Sequence, residues 1–170
     1  MRRTDAIESK FERLVQQHAG IIRKVAFAYA SSESDRHDLA QEILIQVWKA
    51  YPRYSPERPF STWMYRVALN VAISFLRKNT RPGRETVQFD ASIHDLVHEH
   101  PRSREMEEQI EMLQDVIAKY PPLDRALLLL YLDDRSYRDI ASVLGLTETN
   151  VATKLARLKE RLRQNLTTNQ

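Results

Sequence analysis

Apolar side chains recur along this chain at the three- and four-residue steps of α-helices, and no stretch alternates in the manner of a strand. Ile7, Phe11, Leu14 and Val15 mark a first stripe, continued by Ile21, Ile22, Val25, Ala26 and Tyr29. Beyond the polar residues 31–35, Leu39, Ile43 and Val47 stand at steps of four, flanked by Leu44 and Trp48. Asp35 and Asp38 suit the N-terminus of that helix, where carboxylates meet the positive end of the helix dipole. A loop punctuated by Pro52, Pro56 and Pro59 follows. Then Trp63, Met64, Val67, Ala68, Val71 and Phe75 define a long helix that ends near Arg77 and Lys78.

Periodicity vanishes over 79–105, where Pro82, Gly83, Pro101 and charges of both signs give the composition of a linker. Met106, Ile110, Leu113, Val116 and Ile117 resume a helical stripe, and Pro121 and Pro122 precede the apolar run 126–132. A helix-turn-helix follows. Ser136 caps a short amphipathic helix with Asp139 at the capping-box position, and Gly145 supplies the positive φ of a tight corner. Thr147 then caps a last helix whose Val151, Leu155, Leu158 and Leu162 face inward. The pattern predicts an all-α protein: two small helical domains, 1–78 and 106–170, joined by a flexible linker over 79–105.

Composition narrows the chemistry. The 170 residues include no cysteine and three glycines, which removes disulfides, thiolate-ligated metals, thiol nucleophiles and glycine-rich phosphate loops. No run approaches the ~18 apolar residues of a membrane span, and the basic start lacks an apolar segment behind it, so a soluble, cytoplasmic protein without membrane insertion is expected. Ser, His and carboxylates form no convergent constellation, so neither catalysis nor a cofactor is expected. His94 and His98 have helical metal-ligand spacing, with His100 beside them, but no carboxylate partner joins them, and no metal site is expected.

Charge is segregated. Residues 1–80 carry 13 basic and 8 acidic side chains, 106–134 carry 2 and 7, and 135–170 carry 7 and 3. The end bearing the last helix is therefore positive. Thr149, Thr153, Lys154 and Arg157 project outward from it and suit base edges and phosphates, although the same cations also fit the solvated face of a surface helix. On the long helix, Arg66, Asn70, Ser74 and Arg77 form a second face, with Phe60, Trp63 and Tyr65 near its start. Cations, amides and rings together suit single-stranded nucleic acid, while Trp63 at helical spacing from Val67 equally fits a core position. A third stripe, Asp38, Gln41, Glu42, Ile45 and Lys49, is acidic, with Ile45 expected to stand exposed as an aliphatic anchor. It reads either as a wet face or as a dock for a basic helix.

These residues converge on a family. Asp35-Arg36-His37-Asp38-Leu39-Ala40-Gln41-Glu42 and Phe60-Ser61-Thr62-Trp63-Met64-Tyr65-Arg66-Val67-Ala68-Leu69-Asn70 are followed by Pro121-Pro122, Ser136-Tyr137-Arg138-Asp139-Ile140-Ala141 and Leu144-Gly145-Leu146. Together they resemble the extracytoplasmic-function sigma factors of bacterial RNA polymerase, in order and over nearly the whole chain. The resemblance implies a transcription initiation factor whose partners are core RNA polymerase and promoter DNA. It matches Asp38, Gln41, Glu42 and Ile45 to the helix that docks on the beta-prime coiled coil, with the beta subunit as a further contact. Phe60, Ser61, Asn70, Ser74 and Arg77 match the surface that captures the melted minus-ten strand, and Trp63 and Arg66 lie on the same helix. Ala152, Thr153, Lys154, Ala156 and Arg157 match the minus-thirty-five recognition positions, with Thr149 one turn before them. An anti-sigma factor, wedged between the two domains in many members, is a further implied partner.

Two departures from the family pattern carry expectations of their own. Trp63-Met64 stands where housekeeping members have adjacent tryptophans, implying weaker melting and a stringent promoter. Ala152 and Ala156 replace longer side chains, leaving base readout to Thr153 and Arg157. The linker's ~27 residues have a relaxed span of ~29 Å and a stretched limit of ~90 Å, against ~70 Å between elements two DNA turns apart. Only a linker held extended by the polymerase would reach both elements. The competing reading is a stand-alone helix-turn-helix regulator, which should dimerise and bind palindromes unaided but leaves the acidic stripe and the aromatic-rich helix without a task.

Overall fold

The computed structural model describes residues 3–78 and 103–168, and every regular element among them is helical. The helices are α1 (Arg3–Gln17), α2 (Ala19–Tyr29), α3 (Glu33–Ala50), α4 (Phe60–Lys78), α5 (Arg104–Ala118), α6 (Pro122–Leu132), α7 (Tyr137–Leu144) and α8 (Glu148–Thr168), with a 3₁₀ turn at Tyr51–Arg53. The all-α expectation holds. Most of the linker, including His94, His98 and His100, lies outside the described residues. The chain forms two compact units, Met1–Lys119 and Tyr120–Gln170.

In the first unit α3 packs against both α2 and α4. Leu39, Ile43 and Val47 of α3 and Met64, Tyr65, Ala68 and Ala72 of α4 retain no exposed surface. Helix α3 begins two residues before Asp35, because the Ser32 hydroxyl accepts the Asp35 amide at 3.1 Å and satisfies an otherwise unmatched N–H group. Contact with two neighbours also widens the buried arc of α3. Ile45, expected to stand exposed, is only 6% accessible, and Leu44 is buried beside it.

Helix α5 groups with the first compact unit and rests on α2. The Gln114 amide donates to the Phe27 and Ala30 carbonyls, both at 3.3 Å, at the end of α2 where a helix leaves its own acceptors unmatched. Resting on α2, α5 buries Ile117 while Met106 and Leu113 remain 51% and 47% exposed.

The second unit is built from α6, α7 and α8. Ala126, Leu127 and Leu130 meet Ile140, Val151, Leu155 and Leu158 in a core from which water is essentially excluded. The corner between α6 and α7 places Asp134 at φ 54°, with Arg135 paired to Asp133 at 3.3 Å and its amide bonded to the Leu130 carbonyl. Ser136 accepts the Asp139 amide at 3.1 Å, and Thr147 accepts the Asn150 amide at 3.1 Å, so both caps read from the sequence are made. Gly145 lies between them at φ 67°, and the Leu146 amide closes the turn on the Ala141 carbonyl at 3.0 Å. A Cβ at Gly145 would meet nothing within 4 Å. The cost of Gly145→Ala is therefore torsional, about 1 kcal/mol, and Gly145→Asn should cost less because asparagine tolerates the left-handed region. Urea unfolding of the two variants checks this order.

Candidate nucleic-acid and docking surfaces

On α4, Arg66, Asn70, Ser74 and Arg77 are all exposed and follow one another at steps of four, four and three, which gives one continuous polar line. The opposite side of the helix supplies the core residues described above. Tyr65, counted with the functional aromatics from sequence, is wholly buried and belongs to that core, as does Met64. Of the neighbours Trp63 and Met64, only Trp63 keeps accessible surface, and it is half-buried.

Trp63 sits within a patch of rings. Its centroid is 5.3 Å from Phe60, 5.0 Å from Tyr54 and 6.5 Å from Tyr51. Phe60 meets Tyr54 edge-on at 5.3 Å and His18 at 5.2 Å, and Tyr51 stacks on Tyr54 at 6.1 Å. Behind them Phe11 meets Tyr51 at 5.0 Å and Trp48 at 4.7 Å. Inclined rings at these spacings attract through the positive edge and negative face of the π-system. Burial, and secondarily the neighbouring Tyr54, raises the Tyr51 phenol above its ordinary value, so it stays a neutral hydroxyl. Trp63 thus packs into the fold through this patch and keeps a minor part of its surface accessible. Sequence reasoning missed Tyr51 and Tyr54. The signal was their alternation with Pro52 and Pro56, read there only as loop punctuation.

The α3 face places Asp38, Gln41 and Glu42 together at partial exposure. The Gln41 amide nitrogen lies 2.9 Å from His37 Nε2, and Gln46 donates to Glu42 Oε1 at 3.0 Å. Internal hydrogen bonds thus orient the stripe. Because Ile45 turns into the core, the face is acidic and hydrophilic with no aliphatic anchor at that position.

On α8, Thr149, Thr153, Ala156 and Arg157 are exposed, and Ala152 and Lys154 are half-exposed. Thr153 donates its hydroxyl to the Thr149 carbonyl at 3.0 Å, so it presents a lone pair and a methyl group outward. The cations of this helix divide into two groups. Arg161 pairs with Asp124 at 2.9 Å and lies over the Tyr120 ring, Arg163 pairs with Glu160 at 2.6 Å, and Lys159 Nζ stands 4.8 Å over Tyr131. Lys154 and Arg157 have no ion-pair partner among the described residues. The committed cations therefore lie in the later turns of the helix and the uncommitted charge in its N-terminal half. Among the described residues no group of three His, Cys, Asp or Glu side chains could hold a metal ion, and no helix is long and apolar enough to cross a membrane.

The family model of sigma-70 region 2 matches residues 14–82, which contain α2, α3 and α4, and that of sigma-70 region 4 matches residues 110–162. The second match includes the C-terminal half of α5, so family extent and compact packing divide the chain at different places. The chain is similar to the ECF RNA polymerase sigma factor SigE of Mycolicibacterium smegmatis, 27% identical over 161 residues, covering 92% of this chain and 61% of that protein. It is similar to the ECF RNA polymerase sigma factor RpoE of Cereibacter sphaeroides, 26% identical over 94% of this chain and 87% of that one. SigW of Bacillus subtilis, another ECF sigma factor, is 24% identical over 94% of this chain and 90% of its own length. Among solved structures, CnrH in complex with the cytosolic domain of CnrY has a TM-score of 0.72 at 20% identity, covering 96% of this chain and 91% of that one. The sigma factor RpoE of Bartonella quintana, in complex with the anti-sigma factor NepR, gives 0.69 at 16% identity, with 95% of this chain and 99% of that one covered. With both regions matched in the family's order and relatives aligned along nearly its whole length, the chain belongs to the sigma-70 family, in its extracytoplasmic-function group.

Proposed function

We propose that this transcription initiation factor divides its work among the three faces: α3 holds core RNA polymerase, α4 holds the melted minus-ten strand, and α8 reads the minus-thirty-five duplex. The observation that carries the reading is the order of the two sigma-70 regions on one chain, each with its polar face left open to solvent. The catalytic chemistry belongs to the polymerase, and the chain acts in the cytoplasm, where polymerase and chromosome are found. A stand-alone helix-turn-helix regulator would use α7 and α8 alone, and no observation favours it.

The physical steps follow from the side chains. Asp38, Gln41 and Glu42 offer a negative, pre-oriented surface to a basic helix of the polymerase, which steers encounter and sets register. Arg157 and Lys154 engage phosphates or base edges in the major groove. Thr153 accepts from a base amino group or packs its methyl on thymine. At the other element, Arg66 and Arg77 follow the backbone of the separated strand while Asn70 and Ser74 hydrogen-bond to it. Trp63 offers a ring face for stacking, which offsets part of the unstacking cost. The polymerase, holding residues 79–105 extended, spaces the two contacts. An anti-sigma partner, of the kind seen with the Bartonella RpoE, fits the same reading.

Three measurements test it. Reversing both charges of the α3 stripe, Asp38→Lys with Glu42→Lys, should weaken binding to bacterial core RNA polymerase by tenfold or more in a fluorescence titration while leaving the melting temperature within a few degrees. Unchanged affinity would rule out α3 as the docking face. For the reconstituted holoenzyme on duplex promoter DNA, Lys154→Ala with Arg157→Ala should reduce the slope of log affinity against log salt by about 2, one unit per phosphate contact. Arg163→Ala, whose guanidinium is held by Glu160, should leave that slope nearly unchanged. The isolated chain should bind the same promoter weakly at physiological salt, because nothing then holds its linker extended; tight, specific binding would return the regulator reading.

A further inference from the structure

His18 stands at the corner where α1 ends and α2 begins, and its side chain turns back onto α1 instead of forward to cap α2. The backbone amide closes α1 on the Leu14 and Val15 carbonyls at 3.2 and 3.1 Å, and the carbonyl accepts the Ile21 amide at 3.0 Å in the first turn of α2. The ring Nδ1 lies 2.9 Å from the Leu14 carbonyl oxygen. That oxygen can only accept, so Nδ1 carries a proton and donates it. The bond pins the imidazole to the last turn of α1, with its plane tilted 55° to the Phe60 ring and the centroids 5.2 Å apart. The other ring nitrogen, Nε2, has no hydrogen bond among the described residues. No buried side-chain nitrogen or oxygen among those residues lacks a partner, so Nε2 reaches the surface of this half-buried side chain.

One end of the ring is thus committed and the other open, beside the start of the helix assigned to the melted strand. With Nδ1 protonated, Nε2 is an acceptor while the ring is neutral and a charged donor once it takes up a second proton. A separated DNA strand presents anionic phosphate oxygens, which only accept, so it selects the charged form. The surroundings admit that form, because a carbonyl oxygen at one end and a π-face at the side both attract a cation. The titratable side chains of the adjoining ring patch are phenols: Tyr54 donates its hydroxyl proton to the Arg58 carbonyl at 2.8 Å, and Tyr51 stays neutral through burial. None of the charged residues flanking the corner and Phe60 along the chain, Arg13, Arg23, Glu57, Arg58 and Arg66, bonds to the imidazole. We infer that His18 is a proton-coupled phosphate contact at the edge of the minus-ten site: its imidazolium donates Nε2–H to one backbone phosphate of the melted strand, and the strand is bound together with a proton taken from solvent. This rests on the assignment of α4 to the single strand and adds a contact from the α1–α2 corner. The contact reads no base; it strengthens the hold on the open strand as pH falls.

The test uses holoenzyme reconstituted from the full chain and core RNA polymerase, with a fluorescent promoter fragment whose minus-ten segment is held open by mismatches as the probe. His18→Asn is the comparison, since the asparagine amide can replace the Nδ1 donor to the Leu14 carbonyl but supplies nothing at Nε2. The ratio of wild-type to variant affinity should rise about fivefold between pH 8 and pH 6, an interval in which histidine changes charge. In the wild-type holoenzyme alone, strand phosphates are replaced one at a time by neutral methylphosphonates. One replacement should remove most of the gain in affinity at low pH, and the others should leave it. This second arm needs no variant and decides the matter if His18→Asn folds poorly. A ratio that stays flat with pH, or a gain that survives every phosphate replacement, overturns the role of His18. Arg66→Ala with Asn70→Ala should weaken binding to the open segment about tenfold. If it does not, the minus-ten reading of α4 fails and the role of His18 falls with it; if it does while the ratio stays flat, His18 alone is overturned.

Discussion

Helix α3 is gripped from two sides, and the first unit depends on that grip. Leu39, Ile43 and Val47 give up all of their surface, as do Met64, Tyr65, Ala68 and Ala72 opposite. Cysteines are absent, and no metal-competent cluster exists among the described residues, so apolar burial is the main stabiliser available to this unit. Each face proposed to be functional is the remainder left by this packing. The arc of α3 not used by α2 and α4 presents Asp38, Gln41 and Glu42, and the arc of α4 not used by α3 presents Arg66, Asn70, Ser74 and Arg77. Affinity for partners and stability of the fold are thereby assigned to different sides of the same helices.

The second unit solves a different problem, setting two helices at an angle in few residues. Its device is backbone geometry: a left-handed Gly145, two hydroxyl caps and a left-handed Asp134 at the preceding corner. The same economy governs its charges. Asp124 and Glu160 hold the arginines of the later turns of α8, and the uncommitted cations fall in its N-terminal half, where a helix entering a groove has its closest approach.

What could be read from sequence was what is local. The caps at Ser136 and Thr147, the turn at Gly145 and the start of α4 are decided by residues within four positions of one another, and those expectations hold. The misreadings concern long-range partners. Ile45 looked exposed because the arc of α3 was judged as if it met a single neighbour. The seat of α5 on α2 was not legible either, because the bonds that make it join Gln114 to carbonyls 84 and 87 residues away, a separation that periodicity cannot report. The ring patch was half seen. Phe60 and Trp63 stood out at the start of a helix, whereas Tyr51 and Tyr54 lie where irregular backbone gives no phase for placing a side chain.

On the docking role proposed for α3, the burial of Ile45 bears on kinetics. A docking face of carboxylates and amides with no aliphatic anchor attracts a basic partner from a distance, so encounter is fast, but it supplies little desolvated contact to slow departure. A factor held mainly in this way exchanges readily on a shared enzyme, and its share of that enzyme tracks its own concentration more than its residence time. It would also be displaced early as ionic strength rises, since exposed charge is what salt screens first. Turning one isoleucine inward thus favours a transient occupant over a permanent subunit.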